Sequence, residues 1–359
     1  MDALRLISVV LLLFQVLLPP LAAQENQPSR VWLLRDGSSM EGIFVRLMVD
    51  KLIIRKQVSG QAVEVPIPLD WLVPRSLEVA EAIQNGVSDK IINTVMMMEF
   101  TKIGGGTFQM GAPKDLPARQ DVEPFHHVKL TQSYSIKQTE VTWAEWNAVR
   151  TLAQERGYTD LAEGRNGYHG DESGLHPVTE VSWWDAVKWC NAKSQIEGKT
   201  PAYHISADFS VKTILKTGSP PIHWKLDANG YRLPTEAEWE HAWHRRGRIK
   251  GKAEYVGWHC GNSNLNTHPV NSVPNTGYDS IHDLIGNVAE WCWDWKGPLT
   301  AFGHETDPRG PESGPHRVFR GGSFADHPWC CMPSYRGDFS PVAPRSCFVG
   351  FRPVYNTNR

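Results

Sequence analysis

Alternating apolar and polar positions characterise the first part of the chain, over residues 30–75. In GIFVRLMV the apolar residues Ile43, Val45 and Leu47 fall on one face of an extended strand, and AVEVPI repeats this alternation. The apolar positions of the second run are Val63, Val65 and Ile67. Asp-Gly and Ser-Gly dipeptides separate the runs and are typical of hairpin turns. The pattern predicts a small antiparallel sheet or barrel of roughly four or five strands.

The pattern changes further along the chain. Residues 76–96 have the periodicity of a short helical connector, and from residue 97 onward three helix starts are marked by capping boxes. The three boxes are Thr142 with Glu145, Ser182 with Asp185, and Thr235 with Glu238. The stretches between them are rich in Gly, Asn, Pro and Trp. We therefore expect a compact α+β domain with much irregular backbone, held by buried aromatic rings, disulfides or a metal ion.

Composition narrows the class of function. The chain has 359 residues, 41% of them hydrophobic, and a formal net charge of -2. A near-neutral chain has no electrostatic footprint for nucleic acid, so we expect no nucleic-acid partner. The 15 tryptophans suit a fold whose loops pack on aromatic anchors with their N–H groups hydrogen bonded.

The amino terminus predicts export. Residues 1–23 form a short charged start, an apolar run and a small-residue end, which is typical of a cleaved signal peptide. The alternative is a retained membrane anchor, since the run approaches the ~20 residues that span a bilayer. After cleavage we expect no membrane association, and a periplasmic, cell-surface or secreted location. The six cysteines permit disulfides in such a compartment, while the absence of a C-x-x-C pair disfavours zinc.

Six motifs follow one another along the second part of the chain. They are MEFTKIGGGTFQMGA, HHVKLTQSYSIKQTEVTWAEW, HPVTEVSWWDAVKWCNAKS, NGYRLPTEAEWEHAWHRRG, DLIGNVAEWCWDW and RVFRGGSF…SYRGDF…FVGFRPV. Together they resemble the formylglycine-generating enzyme (sulfatase-modifying factor) family over residues 97–356. The resemblance implies one α+β domain related to C-type lectins, low in regular secondary structure and stiffened by calcium. Residues 30–75 resemble the SLA-homology module of exported bacterial proteins.

The turn in DLIGNVAEW is a candidate calcium site. Asp283 and Glu290 bracket a sharp turn, so carboxylate and backbone carbonyl oxygens can converge on a hard cation. The resemblance implies a ligand set of Asp283, Gly286, Val288 and Glu290. Alternatively, the two carboxylates hydrogen bond only to N–H groups of the turn itself.

The segment GGSFADHPWCCMPSYRGDF carries the candidate catalytic residues. The resemblance implies two cysteines, five positions apart, whose thiolates bind copper(I) in the active oxidases. Here Asp326 and Cys331 stand at those positions, and Ser323 and His327 match further active-site positions. One thiolate with one hard carboxylate is a poor ligand pair for copper(I), so copper is disfavoured.

Two other interpretations of this segment stay open. In the first it is structural: one of the adjacent cysteines pairs with Cys347 or packs as a small apolar group, Trp329 anchors the loop, and Arg336 pairs with an acid such as Asp338. In the second, Trp329, Cys330 and Arg336 line a surviving ligand cleft.

Two functions compete on these observations. The first is an exported binding or accessory protein that holds a peptide, protein or glycan in the family cleft. The second is an oxygen-dependent oxidase that converts a sulfatase cysteine to formylglycine. Asp326 opposes the oxidase, while Cys331, His327 and Ser323 support it.

Overall fold

The computed structural model describes residues 29–35, 38–48, 50–58, 61–72, 80, 83, 89–112, 124–245, 257–273, 281–298, 304–342 and 345–357. The predicted signal segment 1–23 lies outside these residues, as do both predicted turn dipeptides and much of the connector 76–96. No helix among the described residues combines the length and apolar character needed to cross a membrane. The chain divides into two compact units, Met1–Ile92 and Asn93–Arg359.

The first unit contains a four-stranded antiparallel sheet. Its strands are β1 (Ser29–Leu33), β2 (Ser39–Leu47), β3 (Lys51–Val58) and β4 (Gln61–Pro68), hydrogen bonded in chain order. An antiparallel bridge between Leu34 and Leu72 joins the residue after β1 to the segment after β4. The bridge brings together the residues that follow the two outer strands. The antiparallel sheet of four strands agrees with the alternating pattern of residues 30–75.

The inward-facing residues of β2 differ from those that the alternation predicted. Phe44 and Val45 are each 5% exposed, whereas Ile43 and Leu47 are only partly buried. A register shift between Phe44 and Arg46 causes the difference, because a bulge turns the residues after it to the other face.

The remaining helices and strands are short. They are α1 (Asp89–Met96), β5 (Phe100–Ile103), β6 (Gly106–Met110), β7 (His126–Leu130), β8 (Tyr134–Lys137), α2 (Trp143–Gln154), β9 (Arg165–Asn166), β10 (Val178–Thr179), α3 (Trp183–Ile196), β11 (Tyr203–His204), β12 (His223–Trp224), β13 (Tyr231–Arg232), α4 (Glu236–Arg245), β14 (Ala289–Trp295), β15 (His304–Thr306), β16 (Arg317–Arg320), β17 (Gly337–Phe339), β18 (Val349–Gly350) and β19 (Val354–Asn356). The larger sheets have the orders β13-β19-β8-β5, β17-β16-β14-β18 and β15-β7-β6. Much of the backbone is therefore irregular.

The three predicted capping boxes are all present. At the start of α2 the Thr142 hydroxyl accepts the backbone N–H of Glu145, and the Glu145 carboxylate accepts the backbone N–H of Thr142. Ser182 and Asp185 form the same two hydrogen bonds at the start of α3. At α4 the N–H of Thr235 donates to Glu238 at 2.9 Å, and the N–H of Glu238 donates to Thr235 at 3.1 Å. A cap contributes about 1 kcal/mol, so these local pairs define where the helices begin.

Buried indoles join helices to segments that are distant along the chain, with their N–H groups hydrogen bonded as the composition predicted. Trp146, Trp183 and Trp239 are completely buried, and each donates its ring N–H to a partner from a distant segment. Trp183 reaches the carbonyl of Cys292 in β14 at 2.8 Å, and Trp239 of α4 reaches the carboxylate of Glu290 at 2.8 Å. These bonds fasten α3 and α4 to β14, which pairs in turn with β16. The loop that follows β16 carries the candidate chemistry.

Candidate functional site

The candidate loop begins at two glycines that follow β16. Gly321 and Gly322 have φ angles of 93° and 65°, a region that favours glycine. A Cβ at Gly322 would lie 2.7 Å from both the carbonyl oxygen of Cys330 and the Sγ of Cys331. The tight approach therefore requires glycine at this position and brings the later cysteines back against the start of the loop.

The carboxylate of Asp326 is directed at its own loop. One oxygen accepts the backbone N–H of Ser323 at 2.9 Å and the Ser323 hydroxyl at 2.6 Å. Ser323 itself is 1% exposed. The structure thus brings together two of the predicted catalytic residues, but as a hydrogen-bonded turn in which the carboxylate is already engaged.

His327 and Trp329 form the outer part of the loop. Nδ1 of His327 accepts the backbone N–H of Trp329 at 3.5 Å, at the start of a 3-10 helix that spans Pro328–Cys331. The two rings stack with centroids 5.3 Å apart, and Trp329 is 42% exposed. Trp329 is available at the surface, as the cleft interpretation requires.

The cysteines of the loop are free thiols, as are all six cysteines of the chain. Cys331 is 1% exposed and its thiol donates to the carbonyl of Ser323 at 3.9 Å. Burial, and next the negative charge of Asp326, raises the pKa of Cys331 well above its usual range. The alternative in which a loop cysteine pairs with Cys347 is wrong for this structure. Cys331 instead packs as a small buried group.

A third thiol, Cys260, lies beside the loop and was missed in the sequence. Its backbone N–H donates to the carbonyl of Asp326 at 2.9 Å. A negative charge on Cys260 raises the pKa of Cys330 and of Cys331, though burial contributes more to both shifts. Cys260 is 66 positions before Asp326 and belongs to no spacing motif, so only the fold reveals the proximity.

Arg336 pairs with an acid, as the structural interpretation predicted, but the acid is not Asp338. Its guanidinium forms two hydrogen bonds with Glu236 of α4, at 2.5 and 2.6 Å, rather than pairing with Asp338. Asp338 instead contacts His316 at 2.7 Å and Lys296 at 3.4 Å. Arg336 is 3% exposed, so its charge is committed to a buried ion pair, although it borders a cavity of about 350 Å³.

A second carboxyl group, Asp294, lines the same cavity. Burial, reinforced by the charge of Glu236, raises the pKa of Asp294 to about 8. Burial also pulls the pKa of Glu236 upward, but Arg336 and Arg320 outweigh it and lower that pKa to about 2. Asp294 accepts the backbone N–H of Glu236 at 2.8 Å. Two neighbouring acids are therefore held in opposite protonation states near neutral pH.

The predicted calcium ligands occupy a crowded acidic region. Both oxygens of Glu290 accept hydrogen bonds from Arg352 at 2.7 Å, and one also accepts from Trp239. Asp283 accepts the backbone N–H of Asn271 at 2.6 Å. Gly286 has a φ of 71° and Val288 is buried, so the sharp turn predicted here is present. The calcium assignment itself stays a prediction.

Glu140 adds a carboxylate that the sequence did not single out. It is completely buried, and one of its oxygens, Oε2, has no hydrogen-bond partner. Burial, and next the charges of Asp283 and Glu290, raise its pKa well above the usual range. Within the described part of the chain, no three His, Cys, Asp or Glu side chains are already arranged as a metal site.

A broad aromatic cleft is lined by residues outside the candidate loop 321–336. Its volume is about 930 Å³, and its walls include Trp184, Trp224, Trp293, Trp295 and Arg317. The Arg317 guanidinium lies between two indoles, 3.8 Å from the Trp183 ring centroid and 3.6 Å from that of Trp295. The ring N–H of Trp224 is buried without a hydrogen-bond partner. We call this feature the tryptophan cleft.

Comparison with known proteins identifies a matching family model, related sequences and similar structures. A family model described as "Sulfatase-modifying factor enzyme 1-like domain" matches residues 90–357. The chaperone protein LppX of Paenibacillus barcinonensis is 29% identical over 242 residues, covering 59% of this chain and 76% of LppX. The formylglycine-generating enzyme of Thermomonospora curvata is 32% identical over 283 residues, covering 68% and 86%. The structure of Treponema denticola variable protein 1 matches with a TM-score of 0.57 and 30% identity, covering 72% and 95%. The expected α+β fold is confirmed.

Because the pKa of Asp294 is raised while that of Glu236 is lowered, the free energy of unfolding depends on pH. An unfolded Asp has an ordinary pKa near ~3.9, so between about pH 4 and pH 8 only folded Asp294 keeps its proton. Its contribution to stability therefore falls as pH rises through this window, by on the order of 1.4 kcal/mol per unit of pKa shift.

We predict that Asp294→Asn, which cannot ionise, gains stability relative to the wild type as pH rises from 4 to 8. Urea unfolding at several pH values measures the difference in the free energy of unfolding between the two proteins. Glu236 is present in both, so its titration largely cancels in that difference. A difference that does not change with pH would contradict the raised pKa.

Proposed function

Because the chain belongs to the sulfatase-modifying factor enzyme 1-like family, we propose that it is an exported, non-catalytic binding or accessory member of that family. The proposal rests on the identity and the hydrogen bonds of Asp326. At the position where the oxidases place a thiolate, this chain has a carboxylate that accepts two hydrogen bonds from Ser323.

The residues at the two family copper positions do not fit copper(I). That ion prefers soft anionic sulfur, and a carboxylate is a hard ligand. The remaining thiol, Cys331, is buried, and its raised pKa keeps it protonated near neutral pH. We therefore assign no oxidation step to the Asp326 and Cys331 pair. The alternative, a formylglycine-generating oxidase, is supported by the relatives that carry that activity in their names.

The tryptophan cleft supports the binding role. Its volume of about 930 Å³ is within the range of small-molecule and cofactor sites. Indoles offer large apolar faces for stacking, and the rings of Trp224, Trp293 and Trp295 line this cleft. We place a peptide, protein or glycan ligand in this cleft rather than at Trp329. The relative named as a chaperone supports an accessory function of this kind.

We predict that the purified wild-type chain does not convert a cysteine of a sulfatase-type peptide to formylglycine when copper(I) and oxygen are supplied. Mass spectrometry of the peptide measures the conversion. Asp326→Cys restores the two-thiol spacing with Cys331 and is expected to produce turnover, whereas Asp326→Asn removes the charge without adding a thiol and is the matched control. Turnover by the wild type would refute the non-catalytic assignment.

We predict that Trp224→Ala removes binding to a glycan array or a peptide array probed with the labelled chain. Trp329→Ala is the matched control at the candidate loop, and it is expected to keep binding. Loss of binding in Trp329→Ala, with binding kept in Trp224→Ala, would place the ligand at the loop instead. Binding to neither array by the wild type would contradict the binding role itself.

We also propose that one calcium ion binds at the turn 283–290. Three buried carboxylates (Glu140, Asp283 and Glu290) share one neighbouring guanidinium, that of Arg352, and one oxygen of Glu140 lacks a partner. Carboxylate oxygens are the ligands that calcium prefers. Since Glu290 is engaged by Arg352, Asp283 and Glu140 are the side chains best able to supply charge to the ion.

Calcium that binds only the folded state adds stability, so a chelator is expected to lower the melting temperature of the wild type. Burial raises the pKa of Asp283 to about 6, and protonated carboxyls bind calcium poorly. The effect of the chelator should therefore be larger at pH 7.5 than at pH 5.

Asp283→Asn should remove the sensitivity of the melting temperature to the chelator while keeping an acceptor for Asn271. Glu290→Ala is a poor test because it leaves Arg352 buried without its partner. An unchanged melting temperature in the wild type would exclude the site.

A further inference from the structure

One buried cation of the tryptophan cleft lacks an opposite charge. Arg317 lines the cleft and is 3% exposed, and within the described residues its guanidinium forms no ion pair. The other buried arginines that the structure describes in the second unit, each at most 3% exposed, are all paired with a glutamate. They are Arg232, Arg320, Arg336 and Arg352. A guanidinium is costly to remove from water unless it is paired, so Arg317 differs from these four in needing a partner.

The surroundings of Arg317 cover the faces of the guanidinium but leave part of its edge unsatisfied. Its central carbon lies 3.8 Å from the Trp183 ring centroid and 3.6 Å from that of Trp295. Such cation–π contacts are favourable, but they do not accept hydrogen bonds from the edge of the guanidinium. At the edge, Nη1 donates to the carbonyl of Trp293, while Nε has no partner. The guanidinium therefore has N–H groups left for an acceptor that the described chain does not supply.

Arg317 keeps its charge at neutral pH. Burial lowers its pKa to about 9, and the charge of Asp294 opposes this shift. Asp294 supplies little negative charge at pH 7, because burial raises its own pKa to about 8. Arg317 is therefore a cation beside a largely protonated acid, and an external anion would find no competing carboxylate there.

The other walls of the cleft indicate what kind of molecule carries the anion. Several walls are indole rings, and flat aromatic faces stack on the C–H face of a sugar ring. Exposed hydroxyl and imidazole groups that can bind sugar hydroxyls line the same cleft and belong to Ser219, His223 and Ser313. Asp307 and Glu312 also line it, and their negative charges disfavour a ligand with many acidic groups.

We propose that the tryptophan cleft binds a glycan that carries a single acidic group, either a carboxylate or a sulfate, and that Arg317 donates hydrogen bonds to this group. The inference rests on the binding role proposed above, and it narrows the ligand of that role to an acidic glycan. Hydrogen bonds between a guanidinium and an oxyanion are charge-assisted and about twice as strong as neutral ones. An acidic sugar therefore satisfies both the donors and the charge of Arg317, whereas a neutral sugar satisfies only the donors.

The test compares acidic and neutral forms of one sugar on the wild-type chain. The probes are methyl glucuronide, its uncharged methyl ester, methyl glucoside and methyl glucoside 6-sulfate, titrated at pH 7 and followed by saturation-transfer NMR. We expect one or both acids to bind roughly tenfold more tightly than the ester and the glucoside, because hydrogen bonds to a charged group are stronger. Preference for the glucuronide identifies a carboxylate ligand, and preference for the sulfated sugar identifies a sulfate ligand.

The outcomes separate this inference from the binding role itself. Equal affinity for acidic and neutral sugars would overturn the inference and leave the binding role in place. Absence of binding to both acids would overturn the inference alone if the chain binds the glycan or peptide array, and the binding role as well if it binds neither. An acetylated peptide with a free carboxyl terminus is a further probe. Its binding by a chain that binds neither acidic sugar would place the anion on a peptide instead.

Two arginines of the same cleft provide matched variants. Arg317→Gln removes the buried charge and is expected to lower the affinity for the preferred acid roughly tenfold, to that for the ester. Arg309→Gln removes an exposed charge that also lines the cleft, and it is expected to keep the preference for the acid. Loss of this preference in Arg309→Gln but not in Arg317→Gln would overturn the assignment to Arg317. Melting temperatures verify folding, and the comparison of acid and ester in the wild type decides the question if Arg317→Gln does not fold.

Discussion

One buried carboxylate, that of Glu236, holds both ends of the loop on which the candidate chemistry stands. Arg320, the last residue of β16, donates to it at 2.7 Å, and Arg336 donates at 2.5 and 2.6 Å. All three side chains are at most 3% exposed. Removal of one partner from a buried pair of this kind costs about 3–5 kcal/mol, because the remaining charge stays buried. The course of residues 321–335 therefore depends on this ion pair, and Glu236 is in turn fixed by its position in the first turn of α4.

The two buried charge networks of the second unit are balanced differently. Burial raises the pKa of Glu236, but the guanidinium groups of Arg336 and Arg320 outweigh it and lower that pKa to about 2. Arg320 also pairs with Glu240, so two guanidinium groups balance two carboxylates. Asp294 keeps its proton because burial, and next the charge of Glu236, raises its pKa to about 8. Around Glu290, one guanidinium serves three carboxylates, and the pKa values of Glu140 and Asp283 are raised by burial. The first network is neutralised by residues of the chain alone. The second keeps a carboxylate oxygen without a donor, which is the physical reason for proposing a cation there.

On the function proposed above, this chain keeps the family scaffold without the oxidase chemistry. The glycines, the tight turn and the buried ion pairs shape the loop, and Asp326, at a position that the resemblance assigns to a metal-binding thiolate, stabilises the loop through Ser323. Loop geometry depends on backbone conformation and on partners in α4, whereas metal affinity depends on the side chains at two positions. Substitution at one of those positions can therefore change the chemistry without changing the fold.

The sequence by itself determined whatever rests on neighbours along the chain. The three capping boxes and the six ordered motifs could be predicted directly, because each depends on residues a few positions apart. The predicted inner face of β2 holds for Val45 but not for Ile43, since the bulge at Phe44–Arg46 depends on the partner strand. Contacts between distant segments were decided only by the tertiary structure. Arg336 pairs with Glu236, 100 residues away, instead of nearby Asp338. Cys260 meets the loop, and Glu140 meets Asp283, because sheet pairing and buried indoles bring their segments together. Many segments could supply a charge, a thiol or an aromatic ring to these sites, and only packing selects which of them does.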